Sequence, residues 1–281
     1  MIRRLALLAG LLLLVPALPA RSAEPRAAEP PAGMSWQGHF EQGGMITGSV
    51  VPGTVLRLGE RLVPVSDDGH FVFGFNRDEA AEVPLEIRQP DGQQILVTLH
   101  VARRSYNIQR IDGLPPKQVT PPPEVLARIR RENAEIEAVR EHASSRTDFL
   151  QGWIWPAQGP VSGIYGSQRI LNGQPRQPHY GVDIAAPAGS PVVATTDGTV
   201  VLAEPDLYYT GGTVIIDHGL GLTAAYLHMQ KVLVKVGQRV KQGQQIGAVG
   251  ATGRATGPHL DWRVNWFDVR IDPQLLLPPH E

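Results

Sequence analysis

Gly198-Thr-Val-Val-Leu-Ala203, Gly212-Thr-Val-Ile-Ile-Asp217 and Leu222-Thr-Ala-Ala-Tyr226 follow one another closely, and with Pro191-Val-Val-Ala194 they decide the fold. Each run is too short for a helix, rich in Val, Ile and Thr, and set off by glycines. That pattern predicts short antiparallel strands and a nearly helix-free, all-β carboxy-terminal region. Loops between such strands wall a groove. Tyr208 and Tyr209 in one loop, and Arg169 within the Gln168 to Gln177 segment, are candidate substrate-binding residues on those walls.

Working outward, Glu124 to about Ser145 places Val125, Ile129, Ile136, Val139 and Ala143 at helical spacing, with Pro123 suited to a first turn. Its charged residues (Arg130, Arg131, Glu135, Glu137, Arg140, Glu141) read as a solvated face, and its apolar stripe is expected to pack on a flanking domain. Leu114-Pro-Pro and Pro121-Pro-Pro123 form a stiff linker ahead of it. From Ser35 to Ile111, His70-Phe-Val-Phe-Gly-Phe75 and Ile95-Leu-Val-Thr-Leu-His-Val101 read as strands between turn signals, which suggests a small β-sandwich. His39, His70 and His100 are scattered there and form no constellation.

The chemistry concentrates in His179-Tyr-Gly-Val-Asp183 and His259-Leu-Asp261. Four residues of regular strand span about 13 Å, whereas zinc ligands lie about 2.0–2.2 Å from the ion. His179 and Asp183 can therefore share a metal only if the chain bends between them, and Gly181 permits a bend. His259 and Asp261 share one face of a strand, and His228 ends the apolar run Ala225-Tyr-Leu-His228. Asp217-His218 sits at a strand end and reads as structural.

From about Trp153 to Leu277 the sequence resembles the catalytic domain of the lysostaphin-like (LytM-domain) zinc endopeptidases. The resemblance is carried by Gly166-Ser-Gln-Arg169, Pro178-His-Tyr-Gly-Val-Asp-Ile-Ala-Ala-Pro-Ala-Gly189, Asp197-Gly-Thr-Val200, Val214-Ile-Ile-Asp-His-Gly219, Tyr226-Leu-His228, Gly250-Ala-Thr-Gly253 and Thr256-Gly-Pro-His-Leu260. It implies that His179 and Asp183 bind one divalent metal, Zn2+, and that His228 and His259 are catalytic. It implies hydrolysis of peptide cross-links in peptidoglycan, with peptidoglycan peptides and other wall enzymes as partners. The second His of the family's His-x-His motif is Asp261 here. Aspartate also binds zinc, but a His, Asp, Asp set brings the site's net charge from about +1 to about zero. That weakens Lewis acidity and favours a harder metal. The alternative is a catalytically silent LytM-type domain that binds cell wall or activates a separate amidase.

Compartment and composition agree with a wall enzyme. Arg3 and Arg4, the apolar run Leu5 to Leu14, and Val15 to Ala20 read as a signal peptide cleaved near residues 20–23, giving an exported, periplasmic or envelope-associated protein with no transmembrane segment in the mature chain. Net charge of −1 over 281 residues gives no field that argues for nucleic acid. With no cysteine, neither a lipid-modified cysteine nor a disulfide is available. The expected organisation is mostly β: a signal peptide over 1–23, a Pro/Ala-rich tether over 24–34, a small β-sandwich over 35–112, a Pro-rich linker and helix over 113–148, and an antiparallel β catalytic domain with an active-site groove over 149–278.

Overall fold

Glu82–Arg88 shows why the amino-terminal region is sheet: Val83, Leu85 and Ile87 are buried while the residues between them face solvent. The computed structural model describes residues 29–111, 123–171 and 173–278. The expected signal peptide and most of the Pro-rich linker lie outside the described residues.

Seven strands build the amino-terminal region. They are β1 (Ser35–Gly38), β2 (Met45–Ser49), β3 (Val55–Leu58), β4 (Arg61–Val63), β5 (His70–Gly74), β6 (Glu82–Arg88) and β7 (Gln94–His100). They form two antiparallel sheets, ordered β1-β2-β5 and β4-β3-β6-β7. An eighth strand, β8 (Ile108–Ile111), leaves this region and pairs in parallel with β10 (Gln168–Leu171), itself joined to β11 (Gln174–Pro175). The strand lies beside the segment that leads back to His179, whose amide donates to the Ser167 carbonyl.

Helix α1 (Leu126–Glu141) then leads to an eight-stranded antiparallel sheet. Its strands are β9 (Val161–Gly163), β12 (Val182–Ala185), β14 (Gly198–Leu207), β15 (Gly211–Gly219), β16 (Leu222–Met229), β18 (Arg239–Val240), β20 (His259–Trp266) and β21 (Val269–Ile271). The order is β18-β14-β15-β16-β20-β12-β9, with β21 on β20. A small sheet of β13 (Pro191–Val193), β19 (Gln245–Ala248) and β17 (Lys231–Val232) flanks it. The four runs expected as strands fall in β13 to β16.

Strands β15 and β16 are buried at every position, on both faces. One face packs into a core that runs without a break from Phe71 and Phe73 to Trp262 and Trp266, so the amino-terminal sheets and the large sheet share apolar contact. On the other face Ile136 and Val139 of α1 cover Leu202, Leu207, Ile215, Ala225 and Leu227. Burial on both sides gives these strands continuous apolar sequence instead of alternation. The charged side of α1 is not wholly solvated, as the sequence reading had it. Glu132 is buried and accepts the Tyr208 amide at 2.8 Å, and the Nε of Arg140 is buried.

The regions are also joined by polar contacts. Arg104 Nη1 lies 2.8 Å from the buried Asp272 carboxylate, and Arg77 Nε donates to the Gly166 carbonyl at 2.9 Å.

His218 is structural. It is buried edge-on against Trp153 at 5.1 Å, and its Nδ1 donates to the Asp197 carbonyl at 2.7 Å. Burial pushes its imidazole down to about 4 from an ordinary 6.5. Below 6.5 the unfolded chain therefore binds the proton more readily, and stability falls as pH drops toward 4. At about 1.4 kcal/mol per pK unit, this one group removes on the order of 2 kcal/mol between pH 6.5 and 4.5. Urea unfolding of the wild type and His218→Gln across that window should show a shallower acid loss in the variant. Parallel profiles would contradict this assignment.

Candidate metal centre

The centre is assembled where β12 and β20 pair. In that register Asp183 stands directly opposite Asp261, and Ala185 opposite His259. Like charges facing each other across a ladder are destabilising unless a cation lies between them. The chain bends before β12 and brings His179 back over the pair, so that His179 Nε2 lies 3.0 Å from Asp183 Oδ1 and 3.6 Å from Asp261 Oδ2.

Gly181 permits this for a different reason than backbone freedom. A Cβ there would lie 2.6 Å from Asp261 Oδ1, 2.6 Å from the Trp262 carbonyl and 2.7 Å from Arg263 Cγ. A bare glycine is needed because β20 comes so close.

The catalytic histidine candidates stand beside these three residues. His228 has φ of 65°, a left-handed conformation uncommon outside glycine. It sits in a register shift between β15 and β16, where Gly212 faces Met229 but Val214 faces Tyr226. The extra residue breaks the alternation of β16 and re-aims the side chain. The His228 ring consequently lies 4.8 Å from that of His259.

All three imidazoles are held alike. Nδ1 of His179 faces the Ile164 carbonyl at 3.3 Å, that of His228 the Thr252 carbonyl at 2.9 Å, and that of His259 the Gly257 carbonyl at 2.8 Å. A carbonyl can only accept, so each Nδ1 donates its proton, and Nε2 is the atom each ring turns to the site, a lone pair whenever the ring is neutral. The carbonyls come from the turn after β9 and from the glycine-rich segment after β19, which is how those loops serve the site.

These residues fit a metal ion. The ligand atoms of His179, Asp183 and Asp261 all lie within 4.8 Å of one another. His179 Nε2 and Asp183 Oδ1 are buried and, although 3.0 Å apart, make no hydrogen bond. Two atoms bound tetrahedrally to one zinc sit about 3.4 Å apart. The 3.0 and 3.6 Å separations of His179 Nε2 from the two carboxylates bracket that spacing, so the three ligand atoms can share one ion.

Electrostatics point the same way. Burial opposes charge on His179, but Asp183 and Asp261 outweigh it and hold the imidazolium up to about 10. Its proton occupies the place a metal would take. Burial works against ionised Asp261, yet Arg263 and His179 keep its carboxyl far below the usual range. Burial pushes His228 below its ordinary value, toward the neutral form that accepts a proton.

Arg263 escaped the sequence reading. Its Nη2 lies 2.5 Å from Asp261 Oδ2, and its Nε lies 3.0 and 3.1 Å from the two carboxylate oxygens. The expectation that Asp261 would cancel the charge of a divalent ion needs correcting, because a guanidinium is paired to it. The available signal was the spacing: residues two apart on a strand share a face.

The remaining candidates lie on the periphery. Tyr209 stacks under Arg254, whose guanidinium carbon is 4.5 Å from the ring centre, and its carbonyl accepts the Arg254 amide. Tyr208 packs edge-on against Tyr209 at 5.0 Å. Arg169 is exposed on β10. None of the three joins the metal cluster.

Comparison with known proteins gives the family. The sequence pattern of peptidase family M23 matches residues 177–273, a stretch that contains His179, Asp183, His228, His259 and Asp261. A crystal structure described as a peptidase M23 from Pseudomonas aeruginosa superposes with TM-score 0.63 at 30% identity, covering 84% of this chain and 94% of that one. The chain belongs to peptidase family M23. Among curated relatives, the peptidoglycan DD-endopeptidase ShyB of Vibrio cholerae is 48% identical over 87 residues, 31% of this chain and 20% of that protein. A lipoprotein NlpD/LppB homolog of Pseudomonas aeruginosa is 43% identical over 127 residues, 45% of this chain and 40% of that protein. The matches thus span a fifth to two fifths of those two relatives' length. The M23 assignment and the mostly β, antiparallel fold agree with the sequence reading.

Proposed function

We propose that this protein is an exported metalloendopeptidase that hydrolyses peptide cross-links of peptidoglycan, with His179, Asp183 and Asp261 holding one divalent ion, Zn2+. The observation that carries the reading is the convergence of His179 Nε2 and two facing carboxylates beside the paired rings of His228 and His259. The relative named a peptidoglycan DD-endopeptidase supports the substrate class.

When bound, such an ion polarises the scissile carbonyl and acidifies a water. The chain's own residues do the rest. His228, kept neutral by burial, takes the water's proton at Nε2 and returns it to the leaving amine. His259 presents Nε2 to the same point, within reach of the water or of the developing oxyanion. The Thr252 and Gly257 carbonyls hold both rings in the required tautomer. Tyr208, Tyr209 and Arg169 serve as groove walls that orient the peptide.

A second reading, a catalytically silent domain that binds wall or activates a separate amidase, draws on the grip of Arg263 on both Asp261 oxygens. Elemental analysis of the mature protein after zinc reconstitution separates the two. About one zinc per chain, removable by chelator, is expected. A chain that takes up none would favour the silent domain.

A further inference from the structure

The pairing of Arg263 with Asp261 assigns Arg263 a positioning role that the histidine-type site does not need. We propose that Arg263 is the charge partner of Asp261 as a metal ligand, so that Asp261 and Arg263 together replace one neutral histidine and keep the charge of the loaded site at about +1. The proposal rests on the ligand set given above.

Three observations carry it. First, Asp261 is almost fully buried and stands opposite Asp183, so the strand register forces two carboxylates together in a poorly hydrated place. Two carboxylates cancel a divalent ion, whereas the His, His, Asp arrangement leaves one positive charge on the site. The guanidinium restores that charge.

Second, the geometry leaves a ligand atom available. Arg263 approaches with Nε and Nη2, the two-pronged match of guanidinium to carboxylate. Each carboxylate oxygen has a second lone pair, and Asp261 Oδ2 is also the oxygen 3.6 Å from His179 Nε2. Oδ2 is thus the oxygen shared between the guanidinium and the ligand cluster.

Third, the surroundings are shaped for the pair. The bare Gly181 leaves room for both the Asp261 carboxylate and the Arg263 stem. Across the ladder from Arg263 stands the small side chain of Ala225. Arg263 is about a quarter exposed, and Asp261 is its only ion-pair partner among the described residues.

The test is a double-mutant cycle on zinc affinity, read by competition with a chromogenic chelator. Asp261→His alone leaves an unpaired guanidinium beside the ion and should weaken zinc binding about 10–100-fold, as loss of outer-shell matching does. Asp261→His with Arg263→Met restores the charge balance and should return affinity to within about threefold of wild type. Should the single variant fold poorly, the double variant still decides the matter, since a folded double variant that binds zinc more than about tenfold more weakly than wild type overturns the proposal. Arg263→Met should hold zinc at least as tightly as wild type while shifting the acid limb of the rate-against-pH profile upward. If Arg263→Met changes zinc affinity by the same factor with and without Asp261→His, the two residues are independent and the proposal falls. A wild type that binds no zinc overturns both this proposal and the metal reading. A wild type that binds zinc but leaves wall peptides intact removes only the endopeptidase reading.

Discussion

His228→Ala and His259→Ala should each bind zinc at wild-type stoichiometry and lose turnover by about 10²–10⁴-fold, the span of a positioned acid–base group. Neither imidazole belongs to the cluster formed by His179, Asp183 and Asp261. Both rings are instead fixed by loop carbonyls and lie 4.8 Å apart, and in the proposed mechanism each addresses the reacting atoms and not the ion's hold on the chain. His228→Ala carries an added effect. Its left-handed φ of 65° is a strained position that the native side chain holds through the Thr252 carbonyl. Zinc content and steady-state rates on purified wall peptides check the expectation. Loss of zinc in either variant would move that histidine into the ligand set.

Asp261→Ala should lose zinc and also lose stability. Removing one partner of a buried pair strands the other, at a cost of about 3–5 kcal/mol. Arg263 would be left with a guanidinium about a quarter exposed and no carboxylate. The two losses can be separated. Asp261→Ala combined with Arg263→Met should recover most of the stability, because an apolar side chain replaces the unpaired charge, but should not recover zinc. Thermal melts and elemental analysis give the two readouts. Full zinc in Asp261→Ala would exclude Asp261 as a ligand.

Much of this site is legible in the sequence, and what is hidden has physical reasons. His179 and Asp183 are visible because only a bend can bring them to one ion, and the bend is present. The strands β14 to β16 are visible because their Val, Ile, Leu and Ala runs are too short for helices and are set off by glycines; β15 and β16 are buried on both faces, whereas β14 alternates. The glycine at 181 is visible too, but its reason is not: the close approach of β20 is a tertiary fact. The re-aiming of His228 depends on a bulge that leaves no mark in an apolar run. The helix over residues 126–141 follows from periodicity, but its resting place does not. It lies on the same sheet face as Asp261, since Leu227 beneath it pairs with Asp261. The parallel pairing of β8 with β10 joins residues far apart in sequence, and neither segment signals the other. Arg263 was legible in principle, two residues beyond Asp261. Weighing Asp261 alone as a ligand obscured it, because the charge of a buried carboxylate belongs to the pair it forms.

The central claim is metal-dependent cleavage of peptide cross-links. Its most direct test is mass spectrometry of the peptides released from purified sacculi by the zinc-reconstituted protein, beside the same protein stripped by chelator. Cross-linked dimers should fall and the matching monomers rise only in the zinc-loaded sample. Unchanged cross-linking with a fully zinc-loaded protein would contradict the account.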